Sequence, residues 1–179
     1  MRIIQGSLRG KKISVPKNFP SRPTTDFAKE GLFNILNNLI DFENMEILDL
    51  CAGTGNISFE FISRGVKFLM CVDSNSVSAK FINKKINEFN LEDKMQFYKS
   101  DCILFCKNSN KRFDLIFADL PFHLKIHDQL LENIFSGTIL KKDGKLILEH
   151  GKDQNFELYH QFSFSRNFGN VIFSFFNFN

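Results

Sequence analysis

From residue 46 onwards, short apolar runs alternate with segments whose apolar residues recur at helical spacing. Five such runs can be followed to residue 150, and two more lie in the tail around Gly169-Asn170. Buried strands that alternate with helices are typical of a parallel, doubly wound α/β sheet, and the tail favours an added antiparallel pair. We therefore predict an α/β fold with a mostly parallel, seven-stranded sheet. The first five predicted strands are EILDL (46–50), FLMCVD (68–73), MQFYKSD (95–101), FDLIFAD (113–119) and GKLILEH (144–150).

The residues before the first of these strands follow a different pattern. The runs RII and KKISV flank a glycine-containing turn, which predicts a β-hairpin over residues 2–15. An irregular, proline-containing link comes next, and a helix is expected to begin near Asp26, capped by one of the two preceding threonines. A chain of 179 residues of which 43% are apolar is sufficient for one domain with a real core. We predict a single domain over residues 1–179, with residues 1–24 as a basic N-terminal hairpin arm.

Positive charge is concentrated near the N-terminus. The net charge is only +3, but seven of the 23 Lys and Arg residues, against two of the 20 Asp and Glu residues, lie in the first 30 positions. A basic arm on a nearly neutral body predicts a polyanionic partner, and a solvated hairpin without a partner is the alternative. The basic residues are Arg2, Arg9, Lys11, Lys12, Lys17, Arg22 and Lys29.

The four cysteines predict reduced thiols. Their positions show no paired spacing typical of a secreted scaffold, and Cys51 and Cys71 lie at the ends of apolar runs. The spacing C-x3-C at 102–106 and H-x3-H at 123–127 resembles a zinc site, but a straight strand between the two pairs would hold them apart, so no metal is predicted. Because no leader and no apolar run of membrane-spanning length is recognisable, we expect a cytoplasmic protein without a membrane partner.

Acidic residues follow or close the first four predicted strands. A single aspartate at a strand end is usually a turn former or a helix cap. An ordered set is more informative, because the carboxyl ends of parallel strands meet at one edge of the sheet, where ligands of α/β folds bind. The four residues are Asp49, Asp73, Asp101 and Asp119.

The segment DLCAGTGN (49–56) predicts a loop that a ligand approaches closely. Gly53 and Gly55 allow positive φ, but the dinucleotide fingerprint is imperfect because Ser58 replaces its third glycine. Asp49 also disfavours a phosphate-bearing ligand, and the same carboxylate favours a ligand with an ammonium and a sulfonium. S-adenosylmethionine (SAM) is such a ligand.

Two further aspartates complete the predicted cofactor site. Asp73 can accept hydrogen bonds from both ribose hydroxyls, a contact that does not separate NAD from SAM. Asp101 can accept one from the adenine amino group, with the Cys102 backbone N–H near the ring. The alternative for Asp101 is an N-cap of the segment that starts at Cys102.

The fourth strand ends in the motif Asp119-Leu120-Pro121-Phe122. The Asp119 carboxylate can accept an N–H from an exocyclic amino group and turn the nitrogen lone pair toward the sulfonium carbon, so that alignment carries most of the effect. Phe122 offers a face for stacking an extruded base, and Pro121 holds the turn between acid and ring. The alternative is an ordinary proline turn with Phe122 in the core.

Taken together, these segments resemble the bacterial 16S rRNA guanine-N2 methyltransferases of the RsmD type. The resemblance runs from residue 2 to about 150 and is carried by RIIQGSLRGKKI, RPTTDFAKEGLFNIL, ILDLCAGTGNISFEFISRG and DLIFADLPF. It implies a class I, Rossmann-like methyltransferase fold, SAM as donor and a guanine of small-subunit rRNA as acceptor. By the same resemblance the glycine loop maps to Gly53 and Gly55, and the ribose contact maps to Asp73. The adenine contact maps to Asp101 and the catalytic motif to Asp119–Phe122. The arm then implies RNA contacts, mostly to phosphates, by Arg2, Arg9, Lys11, Lys12 and Arg22.

The chain departs from the family pattern at two positions. The family motif is normally Asp/Asn-Pro-Pro-Tyr/Phe, and Leu120 stands at its first proline, which predicts a less pre-organised loop and a slower or unchanged enzyme. Phe27 stands where the family often carries a basic residue. Three other functions stay open: adenine-N6 methylation of DNA or RNA, RNA binding on a methyltransferase fold that has lost turnover, and nicotinamide-dependent oxidoreduction. The expected enzyme is a monomer that acts on rRNA or on an assembling small ribosomal subunit.

Overall fold

A computed structural model describes residues 1–21, 23–121 and 126–178. Its centre is a seven-stranded sheet in the order β3-β2-β1-β4-β5-β7-β6. The first five strands are parallel, and β7 pairs antiparallel with both β5 and β6. The predicted doubly wound, mostly parallel sheet is confirmed. The strands are β1 (Glu46–Leu50), β2 (Phe68–Asp73), β3 (Met95–Lys99), β4 (Phe113–Asp119), β5 (Leu140–His150), β6 (Phe162–Phe168) and β7 (Val171–Asn177).

The described residues form five helices, which lie on the two faces of the sheet. The core divides into one apolar cluster that contains α1, α2 and α3 and a second that contains α4 and α5. The expected cap of the first helix is Thr25, whose side chain accepts a hydrogen bond of 3.2 Å from the Ala28 N–H. The helices are α1 (Asp26–Leu39), α2 (Asn56–Ser63), α3 (Ser76–Glu88), α4 (Cys102–Asn108) and α5 (His127–Ser136).

Two boundaries differ from the sequence-based expectation. The apolar spacing of residues 127–140 predicts a helix over that segment, but α5 ends at Ser136 and β5 begins at Leu140. The pair Asp143-Gly144 predicts a turn before the fifth strand, but it lies inside β5 as a bulge. The partners on β5 shift from Leu140 to Lys145 between successive pairs with β4. Hydrophobic periodicity does not show a bulge, because a bulge changes pairing without ending the strand.

The two-residue period of the strands decides which side chains reach the same face. Ile47, Cys71, Phe117 and Ile147 all lie in the cluster that packs on α1, α2 and α3. Two residues further along each strand, the same face carries an acid at the carboxyl end. The four acids belong to the neighbouring strands β2, β1, β4 and β5, and they are Asp73, Asp49, Asp119 and Glu149.

The N-terminal hairpin is fixed to α2 by a buried carboxylate. Arg2 and Lys12 form its one antiparallel bridge among the described residues. The Glu60 side chain, which has no exposed surface, accepts hydrogen bonds from the backbone N–H groups of Ile4 (2.8 Å) and Gln5 (3.1 Å). The turn of the hairpin lies against the last residue of α2, since the Ser7 N–H donates to the Ser63 carbonyl at 2.7 Å. The arm is therefore part of the folded body.

None of the helices within the described residues has the length and apolarity needed to cross a membrane.

Candidate active site

A cleft of about 600 Å³ opens above the carboxyl ends of β1, β2 and β4. The link before α1, the glycine loop, the start of α4 and the end of β5 form its walls. Such a volume is ordinary for a site that holds a small molecule or cofactor. Among its lining residues are Ser21, Thr24, Asp49, Cys51, Gly53, Asp73, Asp101, Cys102, Asp119, Pro121 and Glu149. All the described residues of the predicted catalytic motif, and most of those of the predicted cofactor site, therefore line one cleft.

The glycine loop has the conformation that its sequence requires. Gly53 and Gly55 have φ values of +54° and +71°, and a Cβ on Gly53 would lie 2.7 Å from the Ser21 hydroxyl oxygen. Asp73 holds this loop, because its two carboxylate oxygens accept hydrogen bonds of 2.8 Å from the Gly53 and Asn75 backbone N–H groups. Each oxygen keeps a second lone pair that can accept a hydroxyl hydrogen.

Asp101 is a helix cap in this structure. Its side chain accepts a hydrogen bond of 3.0 Å from the Leu104 N–H at the start of α4, which confirms the capping alternative. Asp101 is nevertheless exposed at the cleft, and Cys102 lies beside it as the first helical residue. The adenine contact of this pair remains a prediction, since one carboxylate oxygen is sufficient for the cap.

Asp49 is buried beneath the glycine loop. The Ser58 hydroxyl donates to its carboxyl group, and the Cys71 thiol donates to the Ser58 oxygen at 3.1 Å. Ser58, which the sequence marks only as a missing glycine, therefore orients a carboxyl of the candidate site. Burial raises the pKa of Asp49 to about 7, and the neighbouring Asp119 and Asp73 act in the same direction.

Replacement of Asp49 by asparagine should stabilise the protein at high pH. Because the pKa of about 7 in the folded state exceeds the ordinary value of 3.8, Asp49 lowers the free energy of unfolding as pH rises from about 4 to about 7. We expect Asp49→Asn to be more stable than the parent by about 4 kcal/mol at pH 8, with the advantage vanishing near pH 4. Urea unfolding at both pH values measures this, with the exposed Asp93→Asn as control. An advantage independent of pH would contradict the assignment.

The described part of the fourth-strand motif lies at the mouth of the cleft. Asp119 is half-buried at the end of β4, and burial raises its pKa to about 7. Pro121 is exposed at the rim. Phe122, the predicted stacking residue, lies outside the described residues, as does Arg22 of the predicted RNA contacts.

The two departures from the family pattern have different surroundings. Leu120 has no exposed surface and lies in the core cluster that contains α4 and α5, on the face of the sheet opposite Asp119. The buried Leu120 side chain anchors the backbone directly after Asp119 in the core. Phe27 is 68% exposed and packs edge to face on Phe168, with ring centroids 5.9 Å apart.

Glu149 was not recognised as a site residue from the sequence. It is the register partner of Asp119 on the neighbouring strand β5, and its carboxylate accepts a hydrogen bond of 3.0 Å from the Thr24 hydroxyl. Burial first, and the nearby Asp119 and Asp49 second, raise the pKa of Glu149. The signal was present in GKLILEH, where an acid closes the fifth apolar run as others close the earlier ones.

A buried lysine joins the arm to this cleft. The Lys29 ammonium, 1% exposed, donates to the Arg2 carbonyl at 2.6 Å and to the Asn56 side-chain oxygen at 2.8 Å. The Asn56 amide donates in turn to the Thr24 carbonyl at 2.7 Å. Burial is the largest influence on the pKa of Lys29, which is lowered. The arm, α1 and the link that carries Thr24 are thus held together.

The predicted RNA-binding residues are distributed along the arm. Arg2 pairs with Glu30 at 3.2 Å, and Lys11 lies over the Phe89 ring, 4.5 Å from its centroid. Lys12 lies opposite Arg2, whereas Arg9 belongs to the turn of the hairpin, which contacts the last residue of α2. Arg9 and Lys12 are exposed and make no ion pair among residues 1–21, 23–121 and 126–178.

The four cysteines are free thiols, as expected. Within the described part of the chain, no three or more His, Cys, Asp or Glu side chains are grouped to hold a metal ion. His123 of the zinc-like pattern is outside that part.

Known proteins share both this sequence and this architecture. The family described as Conserved hypothetical protein 95 matches residues 1–177. The ribosomal RNA small subunit methyltransferase D of Buchnera aphidicola subsp. Acyrthosiphon pisum is 32% identical over 155 residues, covering 86% of this chain and 79% of its own length. The protein of the same name from Haemophilus influenzae is 30% identical over 157 residues, covering 86% and 80%. The structure of a candidate methyltransferase of Escherichia coli superposes with a TM-score of 0.85, at 22% identity, over 99% of this chain and 97% of that one.

The structural likeness shows a Rossmann-like methyltransferase fold, and the match over nearly the whole sequence shows the family. The chain belongs to the Conserved hypothetical protein 95 family, the family of the bacterial ribosomal RNA small subunit methyltransferases D.

Proposed function

We propose that this protein transfers a methyl group from SAM to the exocyclic N2 of a guanine in small-subunit rRNA. The observation that carries the proposal is the placement of Asp49, Asp73 and Asp119 on one face of three neighbouring strands, around a single cleft. Family membership supports an rRNA substrate, because relatives are named ribosomal RNA small subunit methyltransferases. We further propose that the enzyme works as a cytoplasmic monomer on rRNA or on an assembling small subunit.

The cleft fits SAM by three features of the residues that line it. A side chain at Gly53 would clash with Ser21, so the loop leaves its backbone open to a ligand. Asp73 retains acceptor capacity on both carboxylate oxygens at the end of β2. Asp49 is a buried carboxyl group whose charged form is disfavoured by its surroundings, and a bound cation would offset that cost. SAM would supply the methyl group as an electrophile on a positively charged sulfur.

Asp119 would act on the acceptor base. Its carboxylate would accept one N–H of the amine and fix the direction of the nitrogen lone pair, which gives the in-line geometry that the transfer needs. The amine loses a proton after the new N–C bond forms. A carboxyl group whose pKa is about 7 is suited to hold that proton at neutral pH. Pro121 would keep the rim of the cleft rigid beside it.

Two measurements test the function. Calorimetric titration with SAM and with S-adenosylhomocysteine should give tight binding, whereas NAD should not bind. Labelled-methyl transfer into undermethylated small ribosomal subunits, followed by digestion to nucleosides, should give N2-methylguanosine. Detection of N6-methyladenosine would instead show that adenine is the methylated base. SAM binding without transfer would instead indicate an RNA-binding protein that has lost turnover.

Removal of charge from the arm should weaken RNA binding without affecting SAM. We expect the Arg9→Ala/Lys12→Ala double variant to bind small-subunit rRNA about tenfold more weakly at 0.1 M salt, because both side chains are exposed and available to phosphates. The slope of log K against log salt should fall by about 1 to 2. Filter binding over a salt series measures both quantities.

The matched control removes two exposed lysines elsewhere, Lys107 and Lys142. It changes the net charge by the same amount. If this control weakens RNA binding as much as the arm variant does, the arm is not the RNA-binding surface.

A further inference from the structure

Glu149 and Asp119 form a pair of carboxyl groups on neighbouring strands. They are register partners of the parallel strands β5 and β4 and project from the same face of the sheet. Neighbouring strands lie about 4.8 Å apart. Two acceptors are therefore presented side by side to whatever enters the cleft.

The Glu149 carboxyl group is held in one orientation and is incompletely satisfied. The residue is 4% exposed and lines the cleft. One oxygen, Oε2, accepts the hydrogen bond from the Thr24 hydroxyl. The other oxygen, Oε1, makes no hydrogen bond to the described residues, and Glu149 lines the cleft, so this oxygen is open to a ligand. A ligand that donates to Oε1 would give it a partner.

The edges of the nucleobases differ in what they offer to two adjacent acceptors. Guanine presents its N1–H directly beside its N2 amino group, so both neighbouring positions are donors. Adenine and cytosine each present an amino group beside a ring nitrogen that is an acceptor. An ionised carboxylate facing that ring nitrogen would oppose its lone pair and lose a hydrogen bond in a buried site. Guanine, which donates to the carboxylate, favours the ionised form of Glu149 that burial otherwise disfavours. The paired carboxyl groups therefore match guanine.

We propose that Glu149 is the specificity-determining residue of this site and accepts the guanine N1–H while Asp119 accepts an N–H of the N2 amine. The inference rests on the proposed function, because it concerns the base that occupies the same cleft. Thr24 is the positioning residue, since its hydroxyl fixes Oε2 and leaves Oε1 for the base. A site built to bond a donor rejects an analogue without it by factors of about 10⁴ in favourable cases.

The test compares guanosine with 2-aminopurine riboside, which keeps the 2-amino group but has no hydrogen on N1. Small ribosomal subunits are reconstituted from rRNA in which the methylated position, located first with the parent enzyme, carries one or the other nucleoside. For the parent enzyme we expect kcat/KM on guanosine to exceed that on 2-aminopurine by at least about 100-fold.

The Glu149→Gln variant should reverse this preference. Thr24 would hold the carboxamide oxygen at the Oε2 position, so the amide NH2 would face the base and donate to N1 of 2-aminopurine. We expect kcat/KM on guanosine to fall about 100-fold or more and the rate on 2-aminopurine to rise. Thr24→Val should lower the parent preference by about tenfold through loss of orientation.

Three controls separate recognition from damage to the fold. Glu132→Gln, at an exposed position of α5, should leave the preference unchanged. The SAM affinity of Glu149→Gln, measured by calorimetry, should stay within about threefold of the parent. The substitution lies at the position proposed for the base and not at the one proposed for SAM. The melting temperature should not fall, since the substitution removes a buried carboxyl group whose ionised form is disfavoured.

Three outcomes overturn the inference. It fails if the parent enzyme methylates both nucleosides equally, a comparison that needs no variant. It also fails if Glu149→Gln keeps the parent preference, and in both cases the proposed function stands. If the parent enzyme methylates no guanosine at all, the proposed function fails, and this inference with it.

Discussion

Replacement of Asp119 by alanine is expected to lower kcat for methyl transfer by about 10³-fold while SAM affinity stays within about threefold. The carboxyl group lies at the end of β4 beside the cleft, and its role is to orient the amine and to hold a proton. Both contributions act in the transition state, so kcat should fall much more than KM rises. Multiple-turnover transfer of labelled methyl groups into undermethylated small subunits, at varied subunit concentration, gives kcat and KM, and calorimetry gives the SAM affinity.

The Asp119→Asn variant refines this expectation. Its amide oxygen can still accept one amine hydrogen but cannot hold a proton, so we expect an intermediate loss of about 10-fold to 100-fold. The control is Asp93→Ala, which removes an exposed carboxylate from the turn before β3 and should leave kcat unchanged. If Asp119→Ala retained more than a tenth of parental kcat, the assignment of the catalytic acid would be wrong.

Replacement of Asp73 by alanine is expected to weaken SAM binding by about 100-fold or more. The substitution removes the acceptors proposed for the ribose and, at the same time, the two hydrogen bonds that hold the Gly53 and Asn75 backbone N–H groups. Loss of a hydrogen bond to a charged group costs about 1.5 to 3 kcal/mol, so two or more lost contacts account for the expected factor. Calorimetric titration with SAM and S-adenosylhomocysteine measures both affinities.

Asp41→Ala is the matched control for Asp73→Ala. Asp41 accepts a hydrogen bond of 3.1 Å from the Glu43 N–H in an exposed loop, so its removal disturbs a comparable turn outside the cleft. It should leave SAM affinity unchanged. Unaltered SAM affinity in Asp73→Ala would show that the cofactor does not depend on the end of β2, and the proposed binding mode would be abandoned.

The order of elements and the face of the acids could be predicted because each depends on local patterns. Alternating apolar runs gave the parallel sheet, and the two-residue strand period brings Asp49, Asp73 and Asp119 to one face. The same argument applies to Glu149, which lies one residue before the end of the fifth strand. The Asp101 cap also follows from sequence, as one of two alternatives that the structure decides.

Other features depend on contacts between distant residues and have no local signal. Glu60 is read from the sequence as one more polar helix residue, yet it is buried because it binds the arm more than fifty positions earlier. Ser58 is counted as a lost glycine, although its hydroxyl orients Asp49. Leu120 suggests a looser loop when only the backbone freedom of proline is considered, and its burial in the core supplies an anchor of another kind.

The attachment of the arm to α2 has a geometric consequence for the choice of nucleotide. Because Glu60 binds the hairpin backbone and Lys29 joins it to the cleft, the path from Arg9 to Asp119 has a constant length. An RNA whose phosphates rested on the hairpin would present its bases to the catalytic acid at a set number of nucleotides from that contact. The arm would then set the number of nucleotides between the contacted phosphates and the methylated base. A change in the length of the arm would move methylation to a different nucleotide of the RNA.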